Sequence, residues 1–277
     1  MKLSFIEKYL RYLLLLLFLL ASVFPLYWII VTSLKGPKEI YTWPLLYWPS
    51  ELSLKSYSKL FSFSNFGKYF LNSLIVSLCA SFIAMAVSVC AGFALSRYKS
   101  PRTKHSLLLA LYFTQTIPAF VLMVPLFTAL SALKLINNLP ILGLIYVATV
   151  IAFSTIMAKS FFDRIPSSLE EAAMIDGCSA IQSLAHVILP VTLPGMFALF
   201  SFAFINIWNE LFLAVMLLSS DKYMTVPVAL NSFISKAGIS WDVMSSGIVM
   251  ALLPTMIIFG IGQKYIVAGL VEGSVKG

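Results

Sequence analysis

Residues 163–195 read DRIPSSLEEAAMIDGCSAIQSLAHVILPVTLPG, a polar and helix-forming island inside an otherwise apolar chain. The island contains four of the eleven acidic residues in the whole sequence. A polar segment of this length between two apolar runs predicts a folded loop that offers a contact surface to a soluble partner. The remainder of the chain decides what kind of protein presents that loop.

The composition predicts an integral membrane protein. Of its 277 residues, 60% are hydrophobic and 11% are charged, and the mean hydropathy is +0.94. Soluble domains carry roughly 25% charged residues. The apolar runs are long and continuous, which favours helical spans over the short alternating strands of a barrel. We therefore predict one all-α transmembrane domain over residues 1–277, whose net charge of +8 fits contact with anionic lipid and not with nucleic acid.

Six apolar runs each have about the ~20 residues needed to cross a hydrocarbon core ~30 Å thick. They cover residues 12–33, 70–95, 107–130, 142–162, 194–218 and 246–268. The first run is too long for the core of a signal peptide and is not closed by a small-residue cleavage site, which predicts an uncleaved span. An even number of spans places both termini on one side of the membrane. The basic N-terminus and the basic segment 97–105 predict that this side is cytoplasmic, although five lysines within residues 35–68 oppose the positive-inside rule.

The first half of the island, within residues 163–193, carries helix-start patterns. Ser167 with Glu170, or Ser168 with Glu171, fits the S-x-x-E capping box, in which each member satisfies a backbone N–H at a helix start. Only one pair can form the cap, and the sequence leaves both open. A short helix is predicted over residues 169–176.

The second half of the island carries patterns that predict the end of the first helix, the start of a second helix and the end of that second helix. Gly177 supplies the left-handed residue that ends the first helix. Ser179 with Gln182 predicts another capping box, and the helix it opens is expected to run until Pro190 ends it. Pro194 is expected to open the fifth span. Two capped helices around a glycine elbow favour a rigid docking element over an ordinary interfacial loop.

No pattern in the sequence predicts catalysis or metal binding. The chain lacks the G-x-x-x-x-G-K-[ST] phosphate loop, and its three cysteines and two histidines do not have metal-ligand spacing. We therefore predict no catalytic residue, no metal site and no enzymatic activity.

Polar residues inside the predicted spans are candidates for lining a solute pathway, because such groups are costly against lipid. Glu210 lies within span five, with Asn206 one turn before it on the same predicted face and Asn209 beside it. Pathway lining and an interhelical hydrogen bond are both open for Glu210. In span three, Thr114 and Gln115 precede a proline that predicts a kink, and they are further candidates for pathway lining.

The island resembles the E-A-A loop of ABC importer permeases. Residues 171–177 read EAAMIDG and are followed by Leu189-Pro190, as in the pattern E-A-A-x-x-D-G…I-x-L-P, with Val187 in place of its isoleucine and Cys178 in place of the usual Ala or Ser. Other motifs are similar to the second permease of carbohydrate importers of the maltose type. They are TSLK at 32–35, NSLIV at 72–76, WNE at 208–210, QKY at 263–265 and GLVEGSVKG at 269–277. The resemblance covers essentially the whole chain.

This resemblance implies a six-helix type I importer permease in a bacterial or archaeal cytoplasmic membrane. It implies a heterodimer with a second, homologous permease, two cytoplasmic ABC ATPase subunits that bind ATP and Mg, and an extracytoplasmic sugar-binding protein. The chain itself is expected to bind no cofactor. Its implied coupling residues are Glu170, Glu171, Ala172, Ala173, Asp176, Gly177, Leu189 and Pro190, and its implied tail contacts with the ATPase are Gly273, Lys276 and Gly277.

The resemblance also assigns roles within the loop. Glu171 is expected to make a polar or ionic contact with the ATPase, Gly177 to form the elbow, and Ala172 and Ala173 to pack in the ATPase cleft. The cargo is expected to be a disaccharide or oligosaccharide, but glycerol-3-phosphate importers share the same pattern. A secondary transporter would also carry polar groups in its spans, but it would not need a capped docking loop.

Overall fold

The structure is a computed structural model that describes residues 5–63, 65–235 and 238–274. Within these residues the helices are α1 (Phe5–Ser33), α2 (Lys55–Phe63), α3 (Phe66–Arg97), α4 (Pro101–Thr116), α5 (Ala119–Ala132), α6 (Leu139–Phe162), α7 (Ser168–Ile175), α8 (Ala180–Ser183), α9 (Leu189–Trp208), α10 (Phe212–Leu217), α11 (Val226–Ser232) and α12 (Trp241–Ser274). A π-helical turn, Leu184–Ile188, joins α8 to α9. Single 3-10 turns cover Glu39–Tyr41 and Asp221–Tyr223, and the short strands β1 (Ile234–Ser235) and β2 (Gly238–Ile239) pair antiparallel.

Among the described residues, five helices are long and apolar enough to cross a membrane. They are Ile6–Ser33, Phe66–Arg97, Leu139–Phe162, Ala180–Trp208 and Trp241–Gln263. The prediction of an all-α transmembrane chain is confirmed, apart from the β1–β2 pair. The predicted first, second and fourth spans lie inside these helices, and the sixth begins inside the last of them and lies within α12. The predicted count of six is reached only if α4 and α5 together form one broken span.

The third predicted span, 107–130, is broken. Helix α4 ends at Thr116, and the chain bends by 88° before α5. Ile117 and Pro118 both have extended backbone angles. A proline has no N–H to donate, and it disfavours the helical conformation of the residue before it. The kink predicted from Pro118 is therefore a full interruption of the helix.

The fifth predicted span, 194–218, begins earlier than expected. Helical structure continues from Ala180 to Trp208 through Pro190 and Pro194, so the prediction that Pro190 ends a helix is wrong. The reason is the π-helical turn, in which Leu189 donates its N–H to the carbonyl of Leu184, five residues earlier. Pro190 then occupies the first turn of α9, where a missing N–H costs least.

The chain forms two compact units. One consists of Met1–Gly67 and Ala229–Leu253, and the other of Lys68–Val228 and Pro254–Gly277. In the first unit, Asp242 is 4% exposed and pairs with Lys59 at 3.2 Å. The second unit has two apolar clusters, one around Leu142 and Tyr146 and the other around Phe162, Ile188 and Leu199. The second unit carries most of the residues that the sequence singled out.

Candidate functional site

The elbow after α7 has the geometry predicted for it. Gly177 has a φ of +89°, in the region that favours glycine. Cys178 donates its N–H to the carbonyl of Ala173 at 3.0 Å, and Gly177 donates to Met174 at 3.1 Å. These two hydrogen bonds form a Schellman motif, which satisfies the last carbonyls of the helix. The predicted stop at Gly177 is confirmed.

The restart after the elbow is also as predicted. The Ser179 hydroxyl accepts the N–H of Gln182 at 3.3 Å, and the Gln182 side chain accepts the N–H of Ser179 at 2.8 Å. Both bonds of the capping box are present. Residues 175–180 therefore connect α7 to α8 with a fixed geometry.

The capping box predicted at the start of α7 is wrong. Ser167 is the residue before the helix, but it has helical backbone angles and its side chain makes no capping hydrogen bond. Ser168 is already the first helical residue, so it cannot serve as the cap. The Glu170 carboxylate accepts a hydrogen bond from Arg97 at 2.6 Å.

The eight predicted coupling residues divide into an exposed and an inward-facing set. The exposed ones are Glu171, Ala172, Asp176, Gly177 and Pro190, and the inward-facing ones are Glu170, Ala173 and Leu189. The resemblance implied that Ala173 packs in the ATPase cleft. Ala173 is 6% exposed, so its methyl group packs within this chain instead. Two exposed apolar side chains join the outer surface of the loop, Ile175 and Ile181, which are 86% and 80% exposed. These two residues are not among the predicted coupling residues, although apolar residues beside a polar elbow are a usable signal in the sequence.

A charge cluster lies where α6 meets the loop. Asp163 accepts a hydrogen bond from the Ser96 hydroxyl at 2.7 Å, pairs with Lys159, and lies 4.0 Å from the Lys104 ammonium. Partial burial acts to raise the pKa of the Asp163 carboxyl, but the hydrogen bonds from Lys159 and Ser96 and the charges of Lys159 and Lys104 outweigh it. Its pKa is therefore below the usual range, and the carboxylate stays charged.

Glu210 lies at a break in the predicted fifth span. Helix α9 ends at Trp208, and α10 begins at Phe212, so Glu210 is outside both and does not share a helical face with Asn206 as predicted. Its carboxylate accepts the N–H groups of Leu213 at 3.0 Å and Ala214 at 3.2 Å, and the Tyr146 hydroxyl at 2.9 Å. Glu210 thus caps α10 and joins it to α6. Of the two alternatives that the sequence leaves open for this residue, the interhelical hydrogen bond is present.

Asn206 and Asn209 are exposed on this chain. Each side-chain amide donates to a carbonyl four residues earlier, Asn206 to Phe202 and Asn209 to Ile205, both at 2.8 Å. Their amide oxygens point away from these bonds. Two polar groups are therefore presented at the surface of an apolar helix.

Thr114 and Gln115 line a groove of about 690 Å³ formed by α4, α5, α6 and α10. Ile145 and Thr149 of α6 and Leu213 of α10 also line this groove. The groove exists because the chain turns sharply after Thr116. The two residues of span three that are candidates for pathway lining, Thr114 and Gln115, therefore border the same cavity.

Part of the predicted tail contact lies beyond the structure. Gly273 belongs to α12, whereas Lys276 and Gly277 lie outside the described residues.

The chain matches a known family over most of its length. The family of binding-protein-dependent transport system inner membrane components matches residues 84–271, which include the loop, the break at Glu210 and most of the spans. The chain belongs to this family. It is therefore a membrane permease component of a transport system and not an enzyme.

Relatives of this permease match it almost from end to end. It is 34% identical over 273 residues to the sulfoquinovosyl glycerol transport system permease protein SmoH of Agrobacterium fabrum, covering 99% of this chain and 95% of that protein. It is 29% identical over 255 residues to the diacetylchitobiose uptake system permease protein DasC of Streptomyces coelicolor, covering 92% of each. A solved bacterial ABC transporter involved in the import of the acidic polysaccharide alginate has a chain with the same fold, at a TM-score of 0.80 and 22% identity, covering 94% of this permease and 96% of that chain.

The elbow of the permease gives a first prediction. Gly177→Val is expected to loosen the α7–α8 pair, because a left-handed φ costs an L-residue about 1–2 kcal/mol. No atom lies within 4 Å of the added Cβ, so backbone strain is the whole effect. Amide hydrogen exchange in α7 and α8 should accelerate about tenfold, the equivalent of about 1.4 kcal/mol.

Gly177→Asn is the matched control, because asparagine tolerates the left-handed region. Its exchange rates should match those of the unmodified permease. Equal protection in the valine variant would mean that the elbow does not depend on this backbone conformation.

Proposed function

We propose that this permease is the membrane subunit of an ATP-driven sugar importer, with both termini in the cytoplasm. It forms half of the translocation pathway, and a second, homologous permease forms the other half. A sugar-binding protein delivers the cargo from outside, and two cytoplasmic ATPase subunits bind ATP and Mg. The loop around Gly177 is the place where the ATPase acts on the permease.

The relatives support a glycoside as the cargo. Sulfoquinovosyl glycerol and diacetylchitobiose, the compounds named for two relatives, are both glycosides. These matches cover more than nine tenths of this chain. A disaccharide or another small glycoside is therefore the proposed cargo class.

The observation that carries the ATPase assignment is the α7–α8 pair. Its elbow is fixed by the Schellman motif and by the capping box at Ser179, so a push on it is passed on as a rigid-body movement. Its outer surface combines the exposed acids Glu171 and Asp176 with the apolar side chains of Ile175 and Ile181. An apolar surface with a charged rim is the usual composition of a protein–protein interface.

The pathway assignment rests on polar groups that this chain leaves exposed. Amides at the surface of a membrane helix are costly against lipid, so Asn206 and Asn209 are better placed against water or the second permease. The groove at Thr114 and Gln115 provides further polar atoms beside the broken span. The proposed ATPase contact of the tail at Gly273, Lys276 and Gly277 follows from the family resemblance.

The docking assignment is tested by reversing one exposed charge. The permease is purified through an affinity tag from its own membranes, and the ABC ATPase that accompanies it is identified and quantified by mass spectrometry. Glu171→Lys should reduce the ATPase recovered per permease at least tenfold, because a like-charge contact at an interface costs more than the about 1.4 kcal/mol that a tenfold loss requires.

Glu51→Lys is the control, because it makes the same charge change at another exposed acid outside the loop. This variant should retain the full amount of ATPase. Undiminished ATPase recovery with Glu171→Lys would remove this face of α7 from the contact.

A further inference from the structure

A largely buried ion pair joins α7 to α3. Arg97 is the last residue of α3, and Glu170 lies in the first turn of α7. The Arg97 Nε donates to Glu170 Oε1 at 2.6 Å, and the Nη2 atom approaches the same oxygen. The two side chains are 24% and 9% exposed, so solvent screens this pair only weakly.

The same guanidinium also contacts the end of α6. Arg97 Nη1 donates to the carbonyl of Phe162 at 3.2 Å and to the Ser96 hydroxyl at 3.1 Å, and Nη2 donates to the carbonyl of Ile165 at 3.0 Å. One planar group therefore joins α3, the end of α6, the connection after it and α7. A lysine has a single nitrogen and cannot reproduce this set of directions.

Few side chains of α7 are buried. Within α7, all of which the structure describes, the buried side chains are those of Glu170 and Ala173. Alanine offers one methyl group, whereas the ion pair is directional and makes its bonds at a defined angle. The other side chains, including Glu171 and Ile175, face outward. Beyond the elbow at Gly177, the orientation of α7 relative to the ends of α3 and α6 therefore depends on Arg97 and Glu170.

We propose that Arg97 is a positioning residue that makes α7 move as one body with the ends of α3 and α6. The inference rests on the proposed function, in which the ATPase acts on the outer surface of this loop. With the pair intact, a displacement of α7 is carried into the spans. Without it, α7 still moves with α8 through the elbow at Gly177, but it rotates about residues 163–168 and the ends of α3 and α6 do not follow.

Glu170 thus has a different task from Glu171, its neighbour in sequence. Glu171 is exposed and available to a partner, whereas Glu170 forms a salt bridge with Arg97 within the chain. The sequence pattern E-E-A-A does not distinguish the two acids. Their burial does.

The first test measures the orientation of α7 directly. Cysteines are placed at Ile175 on α7 and at Phe82 on α3, both exposed, in a chain whose native cysteines are replaced by serine. Spin labels at these positions report the distance between the two helices in the permease reconstituted in nanodiscs. Arg97→Lys should at least double the width of the distance distribution. Arg102→Lys, the same change at an exposed arginine, should leave the width unchanged.

The second test measures coupling in the assembled transporter with its binding protein. Arg97→Lys should leave basal ATP hydrolysis per complex intact and reduce its stimulation by the binding protein at least fivefold. A role in stability alone would lower the amount of complex and leave the stimulation per complex unchanged. The double variant Arg97→Met/Glu170→Met removes both buried charges, so it should assemble well and still lose the stimulation.

An unchanged distance distribution in Arg97→Lys would overturn the proposal, and so would full stimulation in the double variant. The distance measurement needs only the permease, so it separates this proposal from the proposed function. If Glu171→Lys failed to weaken ATPase binding while Arg97→Lys still broadened the distances, the docking assignment would fail and the positioning role would stand.

Discussion

A Gly92→Ala permease is expected to be strongly destabilised and to give a low yield of folded protein, although alanine is a better helix former than glycine. The added Cβ would lie 2.6 Å from the Cβ of Ala158 and 2.7 Å from the backbone nitrogen of Lys159 on α6. Ala158 is fully buried, and a backbone atom cannot move aside as a side-chain tip can. Overpacking typically costs about 1–3 kcal/mol, and a clash with a backbone atom places this substitution at the upper end, about 3 kcal/mol. The melting temperature should therefore fall by roughly 6–12 °C.

Gly143→Ala is the matched control for this prediction. Its Cβ would meet Val76 Cγ1 at 3.8 Å, an ordinary van der Waals contact between the same two helices, α6 and α3. The helix should gain up to about 1 kcal/mol from the substitution. Tryptophan fluorescence during heating, together with the yield of monodisperse protein on gel filtration, measures both variants. Equal melting temperatures would show that α3 and α6 do not approach as closely as described.

Glu210→Ala is expected to separate α10 from α6. It deprives the N–H groups of Leu213 and Ala214 and the Tyr146 hydroxyl of their acceptor. Leaving a buried donor without its acceptor costs about 1–3 kcal/mol, so three orphaned donors at membrane depth, where no water replaces the acceptor, cost about 3 kcal/mol or more. A fall in melting temperature of roughly 6–12 °C, as for Gly92→Ala, is expected.

A graded series tests the reason for this loss. Glu210→Gln keeps one acceptor oxygen and Tyr146→Phe removes a single donor, so both should melt between Glu210→Ala and the unmodified permease. Asn209→Ala should be neutral, because the hydrogen bond of that exposed amide goes to Ile205, in the turn directly before it. If Glu210→Ala melted like Asn209→Ala and transport alone were lost, Glu210 would be a pathway residue and not a cap.

Local patterns predicted the features that depend on local contacts. The elbow at Gly177 and the capping box at Ser179 are closed within a few residues, so the sequence contains all their partners. The membrane helices followed from long apolar runs, whose burial in lipid does not depend on knowing their neighbours.

Distant partners explain the failures. The rule that pairs a serine with a glutamate or glutamine three residues later was correct at Ser179 and wrong at Ser167, because Glu170 binds Arg97, which lies 73 residues away in sequence. A carboxylate bonded to a guanidinium is held more strongly than one bonded to a neutral N–H. In the sequence, Arg97 is only one member of the basic segment 97–105, which predicts orientation. Glu210 is a similar case, since Tyr146 is 64 residues before it.

The proline rule failed for a different reason. Pro190 was expected to end a helix, and a regular α-helix would have been interrupted there. The π-helical turn at Leu184–Ile188 supplies one extra residue per turn, so the proline falls at a position that needs no N–H. The sequence of residues 184–188 contains no pattern that predicts a π-helical turn.

The uninterrupted helical run turns the loop and the fifth span into a single lever. Ala180–Trp208 has 29 residues, so at about 1.5 Å per residue it is roughly 43 Å long. One end lies three residues after Gly177 and the other two residues before Glu210. A tilt of about 10° at the loop end displaces the far end by roughly 7 Å, a little more than one turn of helix. If Pro190 had ended the helix, a tilt at the loop would not be transmitted to Trp208.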